Sequence, residues 1–117
     1  MSVITTLAIG AVAVVGYAAI SRILAPRASL ALVQEKLSAG ALVVDVRTAA
    51  EFKSGAYPKA INMPLQELSA GFGDLSKDRP VVLYCHSGSR AALAARMFKK
   101  AGFQDVTNAG ALHRLPH

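Results

Sequence analysis

The segment CHSGSR, residues 85–90, holds the only cysteine of the chain and closes on an arginine. The apolar run VVLY, residues 81–84, precedes it, and an alanine-rich helical pattern from about Ser89 to Ala101 follows. Cys85 is therefore expected at the C-terminal end of a strand, just ahead of a helix. Open α/β sheets bind their ligands at that edge. His86, Ser87, Gly88 and Ser89 offer successive backbone N–H groups, and the helix start adds its positive end. Gly88 lets the loop curl without a Cβ clash. Arg90 contributes a fixed cation with a fork of donors. Together these favour an anion in the loop, and the thiolate of Cys85 is the best placed, alongside an anionic substrate. The pattern predicts a lowered thiol pKa and a nucleophilic sulfur. The competing reading is a buried structural cysteine, because free cysteine is among the most buried residue types. The glycine, the helix start and the arginine weigh against it. His86 is read as a polar loop residue rather than a substrate contact, having no identifiable partner. Ser87 and Ser89 are expected to supply amides, one of them also capping the helix.

Alternating strands and helices must position this loop. Ser29 caps a short helix with Leu30, Val33 and Leu37 as its apolar stripe, and Gly40 stops it. ALVVDV, residues 41–46, reads as a buried strand. Thr48 and Glu51 have the spacing of a capping box and open a short helix that Gly55 and Pro58 end. AINMP, residues 60–64, suggests a short strand. Leu65, Leu68 and Phe72 line a helical or irregular segment. VVLY is a strand apolar throughout, as in a parallel sheet covered on both faces. Lys99 and Lys100 lie at the negative end of the following helix, before Gly102. FQDVTN, residues 103–108, gives a last strand. The order implies βαβ units with right-handed crossovers.

The N-terminal part differs in kind. The apolar fraction of 53% is high, and residues 1–21 contain no charged side chain. As a helix, residues 3–20 would be about 27 Å long, close to the roughly 30 Å of a bilayer core. A cleaved signal peptide fits poorly, since no basic residue precedes the apolar run and Pro26 follows the candidate cleavage residue Ala25. The expectation is one transmembrane anchor with a short linker over residues 1–28 and a globular domain over residues 29–117. Arg22, Arg27 and Lys36 follow the span, so the positive-inside rule places the C-terminal domain in the cytoplasm. A lone cysteine suits that reducing compartment. The net charge is +6, but the basic residues are scattered and not interleaved with aromatics. That pattern disfavours nucleic-acid binding and favours small anions near an anionic membrane surface. His113 and His117 lack metal-ligand partners at useful spacing, so no metal site is expected.

CHSGSR resembles the Cys-x-x-Gly-x-Arg active-site loop of the rhodanese (sulfurtransferase) family. VVDVRTAAEFKSGAYPKAINMPL, residues 43–65, is similar to that family's first signature, and AGFQDVTNAG, residues 101–110, to its C-terminal segment. The resemblance implies a single rhodanese-like α/β domain, with a parallel sheet of about five strands flanked by helices. It implies transfer of sulfane sulfur from a small anionic donor such as thiosulfate, through a persulfide on Cys85, to a thiol or cyanide acceptor, without a cofactor. The loop residues His86, Ser87, Gly88, Ser89 and Arg90 would hold substrate and stabilise the sulfur anion. Asp45, Arg47 and Glu51 match the first signature and are read as a structural charge network, because buried charges need partners. The cell-cycle dual-specificity phosphatases resemble the same fold but place five residues between Cys and Arg, where this chain has four. The non-enzymatic alternative is a persulfide carrier or a rhodanese-like interaction or sensing module at the membrane. The chain departs from the family in having Gly55-Ala56-Tyr57 where Gly-His-Ile is frequent, Lys59 where a glycine is frequent, and Ala111 and Leu112 after Gly110 where a second glycine and a tryptophan are frequent.

Overall fold

The computed structural model describes residues 26–116. The expected membrane helix over residues 3–20 lies outside them. Among the described residues no helix is long and apolar enough to cross a membrane.

Ser29 caps the first helix, α1 (Leu30–Ser38), its hydroxyl accepting from Leu32 N–H at 3.2 Å. Val33 is the buried member of the expected stripe and Leu37 packs beside it. Leu30, at the first helical position, is instead exposed. Strand β1 (Leu42–Asp45) follows, then α2 (Ala49–Ser54) behind the capping box of Thr48 and Glu51. Strand β2 (Ile61–Asn62) is only two residues long. A 3-10 turn (Leu65–Ala70), strand β3 (Val81–Cys85) and helix α3 (Ser89–Lys100) lead to strand β4 (Val106–Ala111) and a second 3-10 turn, Leu112–Arg114.

The strands form one parallel sheet in the order β2-β1-β3-β4. It has four strands among the described residues, not the five expected. The segment before α1 meets the β4 edge through a hydrogen bond from Ala28 N–H to Asn108 O (2.8 Å) rather than through a ladder. The last strand also begins later than expected. Residues 102–105 turn first, dropping Phe103 into the core before Val81 N–H pairs with Asp105 O.

Strand alternation sorts side chains onto two faces. Val44, Val81, Leu83 and Cys85 point toward α3, whose Ala91, Ala94, Ala95 and Phe98 are fully buried. There Phe72, Phe98 and Phe103 meet with ring centroids 4.7 to 5.3 Å apart, within the range for favourable aromatic pairs. Val43, Val82 and Tyr84 point the other way, toward Val33 of α1 and Leu115. The alanines of α3 let that helix lie close over the C-terminal half of β3, where Cys85 ends.

Lys59 adopts φ 65°, the left-handed region that costs a side chain about 1 kcal/mol or more. This is the position where the family often carries glycine. Lys59→Gly relieves that strain and returns part of the gain as unfolded-chain entropy. A net rise in unfolding free energy of up to about 1 kcal/mol is expected, read by urea titration.

Candidate active site

Cys85 is fully buried at the end of β3. Gly88 N–H donates to its Sγ at 2.9 Å, and Ala91 N–H, in the first turn of α3, donates at 3.4 Å. Gly88 is the N-cap of α3 and offers no side chain to that turn, so neither Ser87 nor Ser89 caps it as expected. The sulfur takes the place a cap oxygen ordinarily fills, since orphan amides at a helix start must find an acceptor. Gly88 has φ 108°, which L side chains rarely adopt, and this conformation directs its amide inward. His86, Ser87 and Ser89 face outward and are exposed, with the two serine hydroxyls 3.5 Å apart.

Arg90 is turned to Glu51 rather than left free over the sulfur. Its Nη1 and Nη2 donate to Glu51 Oε1 and Oε2 at 2.6 and 2.9 Å. The same carboxylate closes the capping box, accepting from Thr48 N–H and Oγ–H at 3.1 Å each. One side chain thus caps α2 and locks the start of α3. The Arg90 guanidinium and then the Thr48 amide hold the Glu51 carboxyl at about 2, well below its ordinary value. The pKa of the guanidinium is raised in turn, first by that hydrogen bond and then by the charge of Glu51.

The single network expected of Asp45, Arg47 and Glu51 divides in two. Asp45 points to the α1 face, opposite the side chain of Cys85, and Glu51 does not reach it. Arg47 returns onto the Asp45 carboxylate at 2.7 to 3.0 Å and donates to Gly55 O at 2.6 Å. Tyr84 supplies a partner the sequence did not suggest, donating from its hydroxyl to Asp45 at 2.7 Å and accepting from Tyr57 N–H at 3.0 Å. Burial pushes the Tyr84 phenol up to about 12, so it remains a donor. Its ring lies 5.6 Å from the Arg47 guanidinium carbon. No buried side-chain nitrogen or oxygen among the described residues lacks a partner. This cluster braces the strand ends beneath the loop and does not touch the sulfur.

A cleft of about 550 Å³ opens beside the loop, lined by His86, Ser87, Leu112 and His113. Leu112 and His113 follow β4, and nothing local in the sequence links them to residues 86–87. The register that pairs Cys85 with Ala111 brings them together.

The model of the rhodanese-like domain matches residues 29–109. The chain belongs to the rhodanese-like family. It is 37% identical over 81 residues to a protein of Allochromatium vinosum named sulfurtransferase, an overlap of 64% of this chain and 76% of that one. A Bacillus subtilis protein named putative sulfur carrier protein is 35% identical over 66 residues, but the overlap covers only 36% of its length and 56% of this chain. Among solved structures, a human single-domain sulfurtransferase superposes with a TM-score of 0.64 over 75% of this chain and 89% of its own, at 23% identity, a likeness of fold. The Escherichia coli structure described as rhodanese with anions superposes with a TM-score of 0.57 at 27% identity, over 66% of this chain and 95% of its own.

The Glu51–Arg90 pair makes stability depend on acid. Glu51 sits at about 2 folded against 4.5 ordinarily, so the unfolded chain binds the proton more tightly. The contribution of the pair is whole above about pH 4.5 and is lost as pH falls toward 2. Glu51→Gln should unfold earlier than wild type at neutral pH, with the difference shrinking over that window. Chemical denaturation at stepped pH reads it.

Proposed function

We propose that this chain is a sulfurtransferase working through a persulfide on Cys85. The Cys85 thiolate attacks the sulfane sulfur of an anionic donor such as thiosulfate. The donor S–S bond breaks, sulfite leaves with the electron pair, and the sulfur stays on Cys85 as a persulfide. A thiol or cyanide then removes it and restores the thiolate. The observation that carries this reading is the convergence of the Gly88 and Ala91 amides on Sγ. Amide dipoles fixed in advance stabilise negative charge on sulfur without reorganisation. Four residues between Cys85 and Arg90 make a loop sized for sulfur rather than for a phosphoryl group, on the family resemblance described above. Relatives named sulfurtransferase support the same chemistry.

One observation favours a second reading, a persulfide carrier with little turnover. The Arg90 fork is already filled by Glu51, which leaves less of it for a donor oxyanion. Incubation with thiosulfate followed by intact mass decides between the outcomes. The wild type is expected to gain one sulfur and Cys85→Ser none, and continued sulfite release with an acceptor marks an enzyme. A wild type that gains no sulfur removes both readings.

The uncharged run over residues 3–20 supports tethering of the domain to a membrane with Cys85 on the cytoplasmic side. A cysteine placed at exposed Lys53 in the Cys85→Ser background (Lys53→Cys) should then escape a thiol reagent unable to cross membranes in intact cells and react with it after lysis. Labelling in intact cells would reverse the orientation.

A further inference from the structure

The chain enters the domain at the edge of the sheet that carries Cys85. Ala28 N–H donates to Asn108 O at 2.8 Å and Arg114 donates to Ala28 O at 3.1 Å, so the entering backbone is tied to the C-terminal half of β4. At the far end of α1, Lys36 pairs with Asp105, just before β4, at 2.7 Å. Helix α1 is thus pinned along β4, with its first turn on the side of the Cys85 loop and its last turn at the opposite edge. That first turn is apolar and open. Leu30 is 50% exposed and Leu32 38%, with exposed Ala31 between them. Of the four large apolar side chains left exposed among the described residues, two share this turn. It holds no acidic residue. Arg27 stands beside it, exposed and without an ion-pair partner among the described residues. The opposite edge carries exposed charges instead, Lys77, Asp78 and Arg79 ahead of β3. Exposed leucines next to an arginine suit a bilayer interface, with the apolar groups at the acyl boundary and the guanidinium among the phosphates.

We propose that this edge docks on an anionic lipid surface through Leu30, Leu32 and Arg27, with the Cys85 loop turned toward the headgroups. This rests on the tethering reading above. The chain from Arg22 to Ala28 reaches at most about 20 Å when fully extended, so a span ending near residue 21 keeps the first turn of α1 close to the bilayer. For the opposite edge to face the bilayer, the chain would have to run back along the nine residues of α1, about 14 Å. That would consume most of its reach before it crossed the headgroup layer. The positive charge of Arg27, together with Arg22 in the entering segment, selects an anionic surface over a neutral one. The cleft lined by His86, Ser87, Leu112 and His113 opens at the docking edge. Reactants then approach Cys85 along the membrane surface.

The test places the full chain in vesicles of phosphatidylcholine with a quarter phosphatidylglycerol and reads its association by flotation. A bimane label is attached through Ala31→Cys at the docking edge or Gln104→Cys at the opposite one, both exposed positions, each in the Cys85→Ser background. A nitroxide on the lipid headgroup then quenches the label according to its distance from the surface. Quenching should be about five-fold stronger at position 31 than at position 104. The difference should largely vanish when Leu30→Ser and Leu32→Ser are combined, and should shrink in Arg27→Gln and as ionic strength rises. Equal quenching at the two positions in a chain that floats overturns the docking and leaves the tether standing. So does a difference that survives the loss of both leucines. A chain that does not float with the vesicles overturns the tether, and the docking with it.

Discussion

The structure depends on two backbone amides aimed at one sulfur. Gly88 and Ala91 reach Cys85 Sγ only because the chain leaves β3, turns through a left-handed glycine and enters α3 within three residues. That geometry leaves α3 with no side-chain cap and makes the cysteine its acceptor. The helix start and the candidate nucleophile therefore stabilise each other, and whatever fixes α3 fixes the sulfur. The aromatic cluster of Phe72, Phe98 and Phe103 holds α3 to the sheet from below, and the Glu51–Arg90 pair holds its first turn from the side.

The sheet separates duties between its faces. On the α3 side, apolar packing surrounds Cys85 and leaves the amides as its polar neighbours from the loop. On the α1 side, Asp45, Arg47 and Tyr84 satisfy one another and tie the ends of β1 and β3 to the backbone at Gly55 and Tyr57. A buried carboxylate is costly without partners, and here it has a guanidinium, a phenol and a backbone amide. The expense falls on the bracing side, away from the Cys85 sulfur.

Much of this was legible from residue order. The helix at Ser89, the strand before it and the capping box at Thr48 and Glu51 follow from local periodicity and spacing, and they are present. The approach of the loop amides to the sulfur was likewise local, because Cys85, Gly88 and Ala91 lie within seven residues. What the sequence did not disclose is set by contacts distant along the chain. Glu51 and Arg90 are 39 positions apart, and only the fold reveals that the capping glutamate also claims the loop arginine. Tyr84 read simply as an apolar strand residue, because its hydroxyl partner lies on β1. The late start of β4 came from Phe103, whose burial required a turn where β-propensity suggested strand. The cleft formed by His86 and His113 depends on inter-strand register, which no local pattern encodes.

That register is not uniform. Leu83 pairs with Asn108 and Tyr84 with Gly110, so β4 has one residue more than β3 at this point. The insertion changes the phase of the edge strand. It brings Gly110 opposite the turn of the Cys85 loop, where a Cβ on Gly88 would stand 3.6 Å from the Gly110 Cα and an alanine methyl at Gly110 would collide with the Arg27 side chain at 2.7 Å. Transplanting CHSGSR onto another parallel sheet would carry over the amides but not this packing against the edge strand. The six residues are thus an incomplete module, and the miscounted neighbour strand is the remainder of it.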